Sequence, residues 1–168
     1  MEVQEVAVEA TYDLRRRVLR EGEPEASVCF EGDDAPGAFH LAVLDHDHRP
    51  LAVATALPAA LPAELSPGVE PAAEAVAGRH SPIRTWRSRT WRVRGMAVEP
   101  ALQGQGLGTR LLDAVVVEAR SRGAQALWAA GRDTALGFYD RRGWSVEGEG
   151  YPAAGDLPHH TVVLELMR

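Results

Sequence analysis

Three glycines at alternate positions, Gly104, Gly106 and Gly108, separate an alternating apolar segment from the longest amphipathic stretch in the chain. Upstream, Trp91 to Val98 reads as a strand, with Gly95 in its middle marking a bulge or a close backbone approach. Downstream, Leu107, Leu111, Leu112, Val115 and Ala119 fall on one helical stripe, and Arg120, Arg122 and Gly123 suit the end of a helix reaching Arg122. Strand, glycine turn and helix together outline an anion site. Glycines let the backbone turn tightly with no Cβ in the way, and the first helical turn offers unpaired N–H groups at the positive end of the dipole. A pyrophosphate suits that position, and Thr109 adds a hydroxyl donor.

Two common nucleotide loops fail here. A Walker-type loop needs Gly-Lys followed by Ser or Thr, and the chain contains no lysine. The dinucleotide fingerprint needs Gly-x-Gly-x-x-Gly after the first strand of a parallel unit. These glycines have another spacing and lie late in the chain, after what reads as an antiparallel meander.

That meander begins with a short edge strand over Met1 to Val8. Thr11 is placed to cap a helix carrying Leu14 and Val18 on one face. The stretch from Glu21 to Gly37 is acidic and rich in Gly and Pro, and reads as irregular. Apolar runs at 39–44 and 51–57, joined by Asp45-His46-Asp47-His48-Arg49-Pro50, form a hairpin with a longer loop. The segment 57–88 is broken by five prolines and matches no signature, with Val69 to Ala77 long enough for two helical turns. After the long helix come a buried strand at Ala126 to Ala130 and a short helix capped by Asp133 or Thr134 and stopped by Gly143. Alternating strands follow at Trp144 to Tyr151 and Thr161 to Met167. The order predicts one α+β domain over residues 1–168.

The segment Arg94-Gly95-Met96-Ala97-Val98-Glu99-Pro100, followed by Gln103-x-x-Gly106-x-Gly108, resembles the acyl-CoA motif of the GNAT superfamily of N-acetyltransferases. A second block, Ala135-Leu136-Gly137-Phe138-Tyr139 with Gly143-Trp144, is similar to that family's Ala-x-x-Phe-Tyr-x-x-x-Gly-Phe segment, with Trp144 in place of the usual Phe. Leu14-Arg15-x-x-Val18, Gly32-Asp33-Asp34 before His40, and Pro158-His159 resemble the small bacterial ElaA-like branch. The resemblance implies the GNAT fold: a mixed, mostly antiparallel twisted sheet, splayed at its central strands and flanked by helices. It also implies transfer of an acetyl group from acetyl-CoA to the amine of a small molecule or peptide, by direct attack on the thioester. A non-catalytic acyl-CoA-binding domain of the same fold is the rival reading.

By the same resemblance, Met96, Ala97 and Val98 hold the pantetheine arm. Gln103, Gly104, Gln105, Gly106, Gly108 and Thr109 hold the pyrophosphate, and Tyr139 protonates the departing thiolate. A phenol with a reference pKa of about 10 stays protonated at neutral pH and is available as a donor. Arg132 stands where many relatives carry Asn, so it reaches a phosphate oxygen or lies on the surface. The general base is less constrained. Glu147, Glu149, Asp156, His159 and His160 are candidates, with Glu149 and His159 foremost; an imidazole titrates close to the working pH.

Composition narrows the partners. A net charge of -6 argues against nucleic acid and favours steering of a protonated amine. No unbroken apolar run approaches a membrane span, and the acidic start does not resemble a secretion signal, so a cytoplasmic setting is expected. The single Cys29 excludes an internal disulfide. The His46 and His48 cluster has no second group at ligand spacing, and no metal is assigned. Edge-strand pairing leaves a homodimer open.

Overall fold

Apolar runs demand burial on both faces, and Phe39–Leu44, apolar except for His40, is buried at every position. It lies near one edge of a seven-stranded sheet. In the computed structural model, which describes residues 1–21, 23, 26–65, 89–153 and 155–166, the elements follow the predicted order. They are β1 (Glu2–Glu5), α1 (Tyr12–Leu14), β2 (Phe39–Leu44), β3 (Pro50–Pro58), β4 (Thr90–Val98), α2 (Leu107–Ser121), β5 (Ala126–Arg132), α3 (Leu136–Asp140), β6 (Ser145–Ala153) and β7 (Leu157–Glu165). Of the segment 57–88, residues 66–88 lie outside the described residues, as do Trp86, His80 and the two turns expected at Val69 to Ala77.

The strand order is β1-β2-β3-β4-β5-β7-β6. Every neighbouring pair is antiparallel except β4 with β5. On one face the predicted stripe of α2 is completely excluded from solvent at Leu111, Leu112, Val115 and Ala119, packed against Phe39, Leu41, Val43, Ala52 and Ala54. Burial of each large side chain there contributes about 1.5–3 kcal/mol. On the other face Leu14, with Val18 and Leu19, covers Ala42, Leu44, Val53 and Ala97. The sheet is therefore clamped between helices at β2, β3 and β4.

Three expectations need correction. The first helical stretch starts at Val8, not after Thr11, and runs as a 3₁₀ turn, α1 and a π turn to Leu19. Thr11 lies inside it, with its hydroxyl donating back to the Val8 carbonyl at 2.6 Å instead of capping. The short helix also lacks a side-chain cap, because the Asp133 carboxylate is taken by His160 Nδ1 at 2.7 Å. Finally, the expected turn from Tyr151 to His160 is mostly strand. β6 and β7 pair through Tyr151↔His159 and Ala153↔Leu157, which moves His159 and His160 from a loop into the sheet.

Candidate active site

The sheet opens where its one parallel pair gives out. β4 and β5 are in register only at Thr90↔Ala126, Trp91↔Leu127 and Arg92↔Trp128. Beyond that point β4 stays bound to β3 as far as Val98↔Ala52, while β5 stays bound to β7 as far as Arg132↔His159. Each strand follows its outer partner, so the two part. From Val93 onward no strand among the described residues pairs with the edge of β4 that faces β5.

A bulge sharpens the divergence. Across β3, Val53 faces Ala97 and Thr55 faces Arg94, so Ala54 spans both Gly95 and Met96. Gly95 takes φ +60°, a left-handed conformation that costs a side-chain-bearing residue about 1 kcal/mol or more. Beneath it lies the completely buried guanidinium of Arg15, which pairs with Asp33 at 2.6 Å and donates to Thr55 Oγ1 at 2.6 Å and to the Val28 carbonyl at 2.9 Å. Burial alone would raise the Asp33 carboxyl, but the Arg15 hydrogen bond and the Phe30 N–H outweigh it and hold it below the usual range.

At the far end of β4 the chain enters the glycine turn. Gly104 and Gly106 have φ +77° and +86°, and Gly106 starts α2 with no side chain capping it. The first-turn amides thus keep the unpaired donors expected of a helix start. A Cβ at Gly108 would sit 3.4 Å from Met96 Cε and 3.6 Å from Val98 Cγ2, in ordinary contact, so the helix start faces the side chains of β4. Gln103 Nε2 donates to the Val98 carbonyl at 3.2 Å, tying the turn to the strand.

The parted strands and this turn enclose a continuous cleft of ≈ 820 Å³. Of the expected cofactor residues, Met96, Ala97, Val98, Gln103, Gly104, Gly106, Gly108, Thr109 and Arg132 line it. Gln105 does not; it is exposed, with Nε2 donating to the Ala101 carbonyl. Phe138 and Arg141 line the cleft as well, which the sequence reading did not single out, although both lie in the second motif block.

Tyr139 closes the wall between α3 and β5. Its ring meets Phe138 and Trp144 edge-on, each with centroids 5.3 Å apart. It lies over Gly131, where a Cβ would come within 3.2 Å of Cε2. Burial pushes the phenol up to about 12, so it stays protonated across the physiological range. His159 is only 5% exposed, lines the same cleft, and stacks on Tyr151. Its Nδ1 is 2.7 Å from the Leu157 carbonyl. A carbonyl only accepts, so Nδ1 carries the hydrogen and the neutral ring keeps its lone pair on Nε2.

The remaining base candidates are not brought to the cleft. Glu149 is exposed in the irregular part of β6, between the paired residues Glu147 and Tyr151. Glu147 and Asp156 are not among the lining residues either, and His160 is engaged by Asp133. In the β2–β3 turn, Asp45, His46 and Asp47 point ligand atoms within 4.8 Å of one another, but the Asp45 carboxylate already accepts the N–H groups of Asp47 and Arg49 that shape the turn. No helix among the described residues is long and apolar enough to cross a membrane.

Comparison with known proteins agrees with this fold. The profile of the Acetyltransferase (GNAT) family matches residues 8–144. The chain is 28% identical over 168 residues to the uncharacterized N-acetyltransferase YitI of Bacillus subtilis (strain 168), covering 100% of this chain and 97% of that protein. Escherichia coli ElaA superposes with a TM-score of 0.71 at 16% identity, over 98% of this chain and 100% of its own. An aminoglycoside 6'-N-acetyltransferase complexed with coenzyme A superposes with a TM-score of 0.67 at 14% identity, over 100% of this chain and 98% of its own.

Proposed function

The chain belongs to the GNAT acetyltransferase family, and from that premise we propose that it moves an acetyl group from acetyl-CoA to an amine in the cleft between β4 and β5. One observation carries the reading. A single cleft joins the uncapped start of α2 to Tyr139 and His159 by way of the unpaired edge of β4.

Each part of that cleft has a matching task. The amides of the first α2 turn, with Gln103 and Thr109, suit a pyrophosphate, and Arg132 and Arg141 add mobile positive charge beside it. The pantetheine arm carries two amides, so it suits the edge of β4 that faces β5 along Met96, Ala97 and Val98, where it would lie as an added strand does. This places the thioester at the bulge, where a β4 N–H is available to the carbonyl oxygen.

In the reaction, the amine nitrogen bonds to the thioester carbon and the carbon–sulfur bond breaks. One N–H proton passes to His159 Nε2, and the sulfur takes the proton of the Tyr139 phenol. Proton exchange through water then restores both residues, leaving amide and free thiol. His159 is the proposed base in preference to Glu149 because it alone of the two reaches the cleft.

The test pairs binding with turnover. Acetyl-CoA at one hundred times its dissociation constant should raise stability by about 2.7 kcal/mol, read as a thermal shift. Thiol release is then followed over a panel of amines. A thermal shift with no release from any amine would favour the non-catalytic acyl-CoA-binding alternative, and no shift at all would overturn both.

A further inference from the structure

The end of the cleft away from α2 is cationic, although the chain as a whole carries a net charge of -6. Arg92 and Arg94 stand two residues apart on β4, so their side chains leave the same face, about 7 Å apart along the strand. Both line the cleft. From Arg94 to Val98 an extended strand covers about 13 Å, with the glycine turn further on, so these arginines are remote from the helix start.

Their surroundings hold the side chains without neutralising them. The Arg92 guanidinium lies over the Trp128 ring, 4.9 Å from its centroid. Arg94 lies over Phe30 at the same distance and donates to the Glu31 carbonyl at 2.6 Å. Among the described residues, no carboxylate stands within ion-pair distance of either group. Both Nε atoms are buried and have no partner among the described residues. Burial lowers the affinity of each guanidinium for its proton, yet arginine remains charged in proteins. Two half-buried cations thus line an open cleft with no carboxylate paired to them among the described residues, and an anion entering the cleft would complement both.

Nearby, Arg15 has a carboxylate, a hydroxyl and a carbonyl around its terminal nitrogens, although its Nε, like those of Arg92 and Arg94, has no partner among the described residues. Arg20, which lines the same end over Phe30, adds a third positive group. The wall between these cations is apolar, formed by Val18, Leu19 and Phe30.

We propose that the acceptor is an amino-acid-type molecule, bearing both the attacked amine and a carboxylate, and that Arg92 and Arg94 bind the carboxylate. A planar guanidinium matches a carboxylate with two parallel N–H donors, and two of them fix its orientation. The amine then points along the cleft toward His159 and the bulge. The acidic surface steers the ammonium end, and the arginines hold the other. This inference rests on the acyl-transfer reading of the cleft.

The experiment compares matched acceptors at saturating acetyl-CoA: L-amino acids, their carboxamides, and the corresponding decarboxylated amines. The expected result is a tenfold or greater advantage in kcat/KM for the acids, shrinking to near unity in the Arg92→Met, Arg94→Met double variant. Retention of the acetyl-CoA thermal shift certifies that this variant is folded. Amides and decarboxylated amines that react as well as the acids would overturn the proposal, as would an acid preference that survives the double substitution. If acetyl-CoA binds but no amine is turned over, acyl transfer itself fails. The same matched series is then titrated onto the CoA-loaded protein, where equal binding of acid and amide would overturn the carboxylate site separately.

Discussion

The guanidinium of Arg15 lies so close to Gly95 that a Cβ on that glycine would be 3.0 Å from both Nε and Nη2. The contact joins the N-terminal helical stretch to the bulge at which β4 leaves β5. Arg15 cannot retreat, because Asp33, Thr55 and the Val28 carbonyl hold it from other sides. A side chain at position 95 must therefore shift the strand, the ion pair, or both. The bulge and the buried arginine are two halves of one device that keeps the cleft open.

Gly95→Ala tests that device. The left-handed backbone and the close contact together should cost about 2 kcal/mol. For a chain of this size that lowers the melting temperature by roughly 4–8 °C. The acetyl-CoA thermal shift should shrink as well, because the strand edge offered to the pantetheine arm moves. An unchanged melting temperature and an unchanged ligand shift would show that the bulge is not needed.

The same network makes stability depend on pH. His40 Nε2 is 3.1 Å from the Asp33 carbonyl, which only accepts, so Nε2 carries the hydrogen and Nδ1 accepts from Thr55 at 2.7 Å. Burial lowers His40 from its ordinary 6.5. The unfolded chain thus takes up that proton first as pH falls, and stability is full above about 6.5 and declines below it. Asp33, also held below its ordinary 3.8, adds a further loss at more acid pH. Melting temperature should drop from pH 7 to pH 5, and the drop should flatten in His40→Gln. A slope that is the same in both proteins would place its origin elsewhere.

How much of this was legible in advance follows from what sets each element. The α2 stripe, the β4 bulge and the glycine turn were readable because local periodicity and backbone freedom decide them. Thr11 misled as a cap because its hydroxyl turns back to the Val8 carbonyl within the same helical stretch, and Asp133 because a tertiary partner, His160, takes its carboxylate. The extension of the β6–β7 hairpin beyond Tyr151 was hidden by Pro152, Gly155 and Pro158, which read as loop residues. Pairing of β7 with β5 along its length overrode that local preference. Arg15, like Asp33, stood in the segments that resemble the ElaA-like branch, but nothing in the sequence pairs the two. Within Arg15-Arg16-Arg17 it looks like part of a solvated basic run, and only the fold brings Asp33 to it. Arg92 and Arg94 did carry a signal, two cations alternating with the apolar Trp91 and Val93, which is the mark of one charged strand face.

Tyr139→Phe separates the acid role from packing. The ring's contacts with Phe138, Trp144 and Gly131 remain available to phenylalanine, so the melting temperature and the acetyl-CoA shift should hardly move. Turnover should fall by about 10²-fold or more, the usual scale for a positioned proton donor. Because burial holds the phenol up at about 12, the native enzyme should show no alkaline loss of activity from this group below about pH 10. Full activity in the variant would remove Tyr139 from the chemistry.

The last comparison sets His159→Gln against Glu149→Gln. Glutamine at 159 can still donate to the Leu157 carbonyl and fill part of the ring's volume, but it has no lone pair that takes a proton near neutrality. Turnover should therefore fall by about 10²–10⁴-fold. Glu149 is exposed and outside the cleft lining, so its amide variant should stay within about twofold of the native enzyme. The reverse pattern, with loss at 149 and none at 159, would mean that β6 closes over the cleft when substrates bind and that the carboxylate is the base. A small loss at both sites would instead point to a water chain as the proton acceptor, with His159 serving to hold Tyr151 and the β7 edge in place.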